Sequence, residues 1–350
     1  MQKKQGNSTI IFENAPVIYE MSSVTGPKEG EGPLGKLFDE VWEDPMLGKS
    51  KWEEAESELQ KKAVEKVLEK AVMNASDMDC IFAGDLLGQI IATSFGIAAF
   101  NRPTFGLYGA CSTIGEALML AAVHIDGGFA QNVLALTSSH FASAERQFRF
   151  PLEYGNQRPL SATWTVTGSG AFIVSKPMCA ASEKKREQLK HKARITSATP
   201  GKIVDYGVRD AMNMGACMAP AACDTIYNHL KDMNEKPEDY DHIITGDLGY
   251  VGHDILLDLM QQRGMDISKQ HMDCGMEIFD RETQDTHSGG SGCACSAVTL
   301  ASFILPKLAS GEWKKVLFVP TGALLSPISF NEGKSVPGIA HAVVIEAPGK

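Results

Sequence analysis

The sequence predicts an α/β fold built from two similar halves, and three observations carry this. Residues 77–86, DMDCIFAGDL, return as residues 239–248, DYDHIITGDL, and Leu68 and Leu230 stand at the same offset. A second pair follows, with ACSTIGEALML opening at Ala110 and ACSAVTLASFI at Ala294. After each comes a glycine and then an apolar strand, NVLALTSS from Asn132 and KVLFVPTGA from Lys315. Two copies of one helix–strand–turn–helix–strand unit imply two halves packed together, with a ligand site expected between them. A chain of 350 residues is long enough for two medium cores.

The elements follow in order. Residues 22–35, SSVTGPKEGEGPLG, are rich in Gly and Pro and read as an irregular loop. Over 51–72, Ala55, Leu59, Ala63, Val67 and Leu68 recur near helical spacing. Ile81 and Phe82 form a short buried strand ending at Gly84–Asp85. A helix follows Cys111, striped by Ile114, Ala117, Leu118, Ala121, Ala122 and Ile125 and stopped by Gly127–Gly128. Residues 132–139 are continuously apolar, as a strand covered on both faces should be. Residues 140–165 form a polar and aromatic insertion carrying Arg146, Arg149 and Arg158, and Ala171–Val174 closes the half.

The charged stretch 182–192 is the expected connection, so the halves span 1–181 and 193–350. The second half repeats the order: a helix near 216–232, a strand at Ile243–Ile244, a helix from Cys295, and strands at Val316–Val319 and Ala342–Ile345. Pro306 should kink or shorten its helix.

A net charge of −10 argues against nucleic acid as a partner. None of the eight cysteines makes a CxxC pair, which reads as reduced thiols rather than a zinc ribbon or disulfide frame. The N-terminus has no apolar run of signal-peptide length. The most apolar stretch, Ile90–Phe100, is far short of the ~20 residues that cross a bilayer.

Gly109–Ala–Cys111–Ser112 puts a cysteine where a strand turns into a helix. The N–H groups and partial positive charge there favour a thiolate or a bound carboxylate. The same residue also reads as a small buried side chain in a tight turn. His287 opens HSGGSGCAC, the glycine-rich lead-in to Cys293 and Cys295; it could face the other half or solvent. His140 and His341 each lie beside a strand end with the same two readings. Asp85 and Asp247 occupy matched turns and read as turn formers bonding their own backbone. Segment 288–292 does not match a phosphate-loop pattern.

Together these features resemble the thiolase superfamily, which includes ketoacyl synthases and biosynthetic thiolases. The resemblance implies a thiolase-like fold: two duplicated βαβαβαββ halves in a five-layer αβαβα arrangement. It places Cys111 at the family's nucleophile and His287, three residues before Gly290, at its HxxG histidine. Thr167–Gly–Ser–Gly–Ala171 resembles the strand-entry motif of the first half. The chain then departs from the enzymes. The turn Thr245–Gly–Asp247–Leu lacks the first histidine of two-histidine condensing enzymes. Ser335–Val–Pro–Gly–Ile–Ala–His341 lacks the second cysteine of thiolases. A Claisen-type reaction needs a base and an oxyanion-stabilising set around the thiolate, so the resemblance implies a vestigial site at Cys111 and His287 rather than an enzyme.

A narrower resemblance spans nearly the whole chain. GPKEGEGPLG, AGDLLGQ, GACST, TSSHFASAERQFRFPLEYG, TGSGA, GGSGCACSA and TGALLSP are similar to a stage V sporulation family of spore-forming bacteria. It implies binding of dipicolinic acid (pyridine-2,6-dicarboxylate), free or as its calcium chelate, for uptake into the developing spore and release on germination. No cofactor is implied; calcium enters only within the chelate. The implied partners are other proteins of the same membrane system, at the inner membrane of the forespore and spore, with this chain peripheral. Superfamily analogy adds a homodimer. A flat aromatic dianion needs cations or helix N–H groups and an apolar slot. The expected ligand set is Cys111, Ser112, His140, Arg146, Arg149, His287, Cys293, Cys295 and His341. Arg146 and Arg149 read equally well as surface or dimer-interface charges. Two other readings stand: an acyltransferase using Cys111 with His287, and a structural scaffold.

Overall fold

The structure is a computed structural model that describes residues 3–148, 157–177 and 192–348, and for Phe148 only its backbone. Arg149 and all of the 182–192 connection except Lys192 lie outside the described residues.

Ten strands form one continuous path. The first half supplies β1 (Val17–Thr25), β2 (Cys80–Asp85), β3 (Thr104–Leu107), β4 (Asn132–Ser139) and β5 (Gly168–Ser175). The second supplies β6 (Arg194–Thr199), β7 (His242–Thr245), β8 (His271–Asp273), β9 (Lys315–Val319) and β10 (Ala342–Glu346). The spatial order is β3-β2-β4-β5-β1 in one half and β8-β7-β9-β10-β6 in the other. Each half therefore orders its strands third, second, fourth, fifth, first. In both, the second strand pairs parallel with its neighbours and the last pairs antiparallel. The antiparallel rung Arg194 to Val17 joins β6 to β1, and Ile11 and Ile10 of the first half also pair antiparallel with Ser197 and Ala198 of β6.

Three buried clusters make this a five-layer molecule. Helix α1 (Trp52–Ala71) sets Leu59, Ala63, Val64 and Val67 against Ile81, Leu134, Leu136 and Ile173 on the outer face of the first half-sheet. The alternate residues Val133, Ala135, Phe172 and Val174 face inward, where α3 (Thr113–Asp126) meets them; α2 (Ile91–Gly96) precedes β3. Period-two alternation with both faces apolar is what a covered sheet requires. The insertion opens as α4 (Phe141–Phe148). In the second half α5 (Met214–Met233) and α6 (Gly249–Gln262) cover the outer face at Ile243, Leu317, Val319 and Val344. Helix α7 (Cys293–Thr299) shares the central layer with α3, between Val316, Phe318, Val343 and Ile345 and the first half-sheet.

Two expectations change here. The mirrored helix begins at Cys293 rather than Cys295, because Gly292 takes a left-handed φ of 97° and turns the chain two residues earlier. Pro306 does not stop the helix. Leu300–Ile304 form a π turn in which Leu305 N–H donates to Leu300 O, and α8 (Leu305–Ala309) then carries Pro306 in its first turn. A π turn is one way to absorb the missing proline N–H without a break.

The far end of the insertion returns as Trp164–Thr165, which pairs parallel with Gly290–Ser291 of the second half. That crossing brings the glycine-rich segment against the first half.

Candidate functional site

Strand β3 ends at Leu107, and the chain turns through Tyr108–Gly109–Ala110–Cys111 into α3. Ala110 sits at φ 49°. The turn is locked by its own side chains: Ser112 Oγ donates to Gly109 O at 2.7 Å, and Thr113 Oγ1 to Ala110 O at 2.6 Å. From the second half the short strand Thr321–Ala323 lies against it so closely that a Cβ on Gly322 would come within 2.3 Å of Gly109 O. That glycine is required by close approach.

Cys111 is part-buried and opens on a small cavity between the halves. Leu86 and Tyr108 wall it from one half; Met214, Met218, Asp247 and Leu325 wall it from the other. Its volume is about 30 Å³, room for about one water. Asp247, 1% exposed, accepts from Gly292 N–H at 3.0 Å and from the Thr321 hydroxyl at 2.8 Å. The Cys111 thiol lines the same cavity as this carboxyl and acts on its charge. Burial pushes Asp247 up to about 7, against the lowering effect of Cys111, Thr321 and Gly292.

Burial also holds the Cys111 thiol well above its ordinary range, reinforced by the charge of Asp247 and by Cys293. Burial thus works against the partial positive charge expected at the helix terminus. Proton transfer from Cys111 to Asp247 would run uphill.

The sequence-derived residues divide. Cys293 joins Cys111: it is fully buried, packs with Leu86, and its Sγ donates to Ala110 O at 3.0 Å. Ser112 is adjacent but fully buried, its hydroxyl spent on Gly109. Cys295 lies inside α7 and donates to Gly246 O at 3.5 Å, so it does not mirror Cys111. His140 Nε2 bonds Pro45 O at 2.9 Å and its Nδ1 accepts from Ala142 N–H, which occupies both nitrogens. His287 Nδ1 bonds Pro159 O at 2.9 Å and its Nε2 faces Asp285 at 3.1 Å. His341 Nδ1 accepts from Gly201 N–H at 3.1 Å, and burial lowers it to about 4. Arg146 pairs with Glu53 and lies 5.3 Å from the Trp52 ring centroid, on a separate open groove of about 950 Å³. Arg149 lies outside the described residues. No lysine, arginine or histidine among the described residues lines the seam cavity.

Asp85 and Asp247 are not equivalent. Asp85 accepts from Leu87 N–H in its own turn and from Thr93, as a turn former should. Asp247 reaches across to Cys111 instead. The sequence paired the two aspartates but held no sign of the difference, because the donors of Asp247 lie 45 and 74 residues downstream.

Such a two-half, five-layer α/β molecule with a cysteine turn in its seam is thiolase-like. The described chain aligns with 3-oxoacyl-[acyl-carrier-protein] synthase III from Aquifex aeolicus VF5 at TM-score 0.55 and 13% identity, covering 95% of this chain and 99% of that one. It aligns with a singly substituted OleA from Xanthomonas campestris at TM-score 0.60 and 12% identity, covering 96% and 99%. The family model for stage V sporulation protein AD (SpoVAD) matches residues 6–346, and the chain belongs to that family. It is 43% identical to the stage V sporulation protein AD of Bacillus subtilis (strain 168) over 347 residues, 99% of each chain. Among the described residues no helix is long and apolar enough to cross a membrane.

Proposed function

We propose that this sporulation protein is a non-catalytic binder of dipicolinate, free or as the calcium chelate, serving its uptake into the developing spore and its release on germination. The observation that carries the reading is the partner of Cys111. Its thiol stands beside a carboxyl, and among the described residues no imidazole lines the cavity, which supports a pocket of hydrogen-bonding groups over an acyl-transfer site. Tyr108, Leu86, Leu325 and two methionines offer the apolar slot a pyridine ring requires. At about 30 Å³ the cavity must widen to admit it, and Met214 and Met218 are the flexible side chains that can swing aside.

The reading extends to a peripheral place at the inner membrane of the forespore and spore, held by other proteins of the stage V system, and to a homodimer. The dimer is supported by the free edge of the sheet. Strand β3 ends the strand order and carries Phe105, 49% exposed, close in sequence to Ile91 and Phe95, 44% and 75% exposed. Unpaired apolar edges are normally covered.

The test is calorimetric titration of the full chain with dipicolinic acid, with and without calcium, and with acetyl-CoA as the rival ligand. Saturable dipicolinate binding with no acetyl-CoA signal is expected. Acetyl-CoA binding with a mass increase on Cys111, and no dipicolinate signal, would instead establish an acyltransferase.

A further inference from the structure

The seam cavity is an unusual place for a dianion. It holds one carboxyl and, among the described residues, no cationic side chain. The carboxyl of Asp247 cannot turn away, because Gly292 N–H and the Thr321 hydroxyl hold it from two separate segments. The groups that face it bring no positive charge. Cys111 from the turn before α3 and Tyr108 line the cavity with it, and Asp273 at the end of β8, Cys274 after it and Cys295 in α7 are near enough to share its electrostatics. All are acids or weakly acidic hydroxyls and thiols. Two carboxylates brought together out of water cannot both stay ionised, and the usual resolution is a shared proton.

We infer that Asp247 binds its ligand as a carboxylic acid, taking up one proton from water when a dicarboxylate enters the seam. The inference rests on the dicarboxylate reading of this site. The balance is simple: one solvent proton bonds to an Asp247 carboxyl oxygen, which donates it in a hydrogen bond to the ligand carboxylate, and no other bond forms or breaks. A short O–H···O⁻ contact of this kind is among the stronger hydrogen bonds. Burial already brings Asp247 to about 7, so the protonated form is accessible near neutrality. With Asp247 protonated, it and the Cys111 thiol both present donors, so the arrangement favours acceptor atoms on the ligand over N–H donors.

The experiment is calorimetry of the full chain with free dipicolinate at pH 8, a chelator keeping calcium out, in two buffers of different ionisation enthalpy. The difference in heat counts protons. The expected result is about one proton taken up per ligand at pH 8, falling toward none by pH 6, with Kd weakening about tenfold per pH unit above 7. In Asp247→Asn the amide donates permanently, so the same Kd at pH 6 and pH 8 and no proton uptake are expected. Saturable binding by the unaltered protein with no proton uptake at pH 8 overturns the inference and leaves the binding function standing. Uptake that persists in Asp247→Asn also overturns it. Absence of binding at both pH values overturns the dipicolinate reading, and the inference with it.

Discussion

Glu56 is the buried glutamate of α1. It is fully buried and accepts from Ser138 Oγ at 2.9 Å and Ser143 Oγ at 2.8 Å. The Gln60 amide donates to Ser138 and to Thr93, and Thr93 donates in turn to Asp85. Two buried acids thus share one polar chain with no cation in it. Burial, and then the charge of Asp85, lifts Glu56 to about 8. An acid raised on folding stabilises the protein while it is protonated. That contribution is complete below its unfolded value near 4.5 and is lost as pH rises through about 8. Glu56 should therefore contribute a fall in melting temperature between about pH 5 and 8 that Glu56→Gln flattens; an unchanged slope in thermal melts would refute this. Cys111 yields a second prediction. Its alkylation by iodoacetamide, followed by peptide mass spectrometry, should be slow at pH 7.5 and should quicken in Asp247→Asn, which removes the nearest negative charge. A rate equal to that of a free thiol in the unaltered protein would contradict the raised thiol. At this scale the sequence was a partial guide. Cys111 and Cys293 were visible as motif residues, but His140, His287 and His341 were not separable from true ligands. Each has at least one ring nitrogen bonded to a main-chain group, such as Pro45 O or Gly201 N–H, that no motif encodes.

Helices α5 and α6 cross at a pair of glycines. A Cβ on Gly215 would lie 2.7 Å from Gly252 N, and one on Gly252 would lie 2.8 Å from Gly215 Cα. The obstruction is backbone, so it cannot rotate away. Gly252→Ala should cost about 1–3 kcal/mol in denaturant unfolding, the usual range for overpacking. Gly88→Ala, with nothing within 4 Å of its new Cβ, is the matched control and should stay within about 0.5 kcal/mol of neutral. Equal effects would remove the crossing as the cause. Elements were well foreshadowed by periodicity: α1 runs from Trp52 to Ala71 and β4 from Asn132 to Ser139, close to the stretches their apolar spacing marked. The start of α7 and the π turn before Pro306 were not foreshadowed. Both depend on backbone choices, a left-handed Gly292 and a widened turn, that leave the apolar stripe almost unchanged.

Over the whole molecule, the free edge at β3 sets the expected assembly. Light scattering should give twice the chain mass, and Phe95→Glu with Phe105→Glu should halve it by placing charge on the apolar edge. A monomeric unaltered protein would rule this interface out. The duplication itself was legible because repeated turns and strands survive as repeated words. The asymmetry of the seam was not, since it arises between segments far apart in the chain. The rung from Arg194 to Val17 pairs the first strand of one half with the first strand of the other, antiparallel. Two copies of a shorter chain paired in this way would be related by a two-fold axis. In such a pair the contact would be isologous, and each side chain would meet its own twin. Carrying both copies on one chain lifts that requirement. One wall can then offer a thiol and the other a carboxyl, and a symmetric pair of shallow clefts gives way to a single directional one.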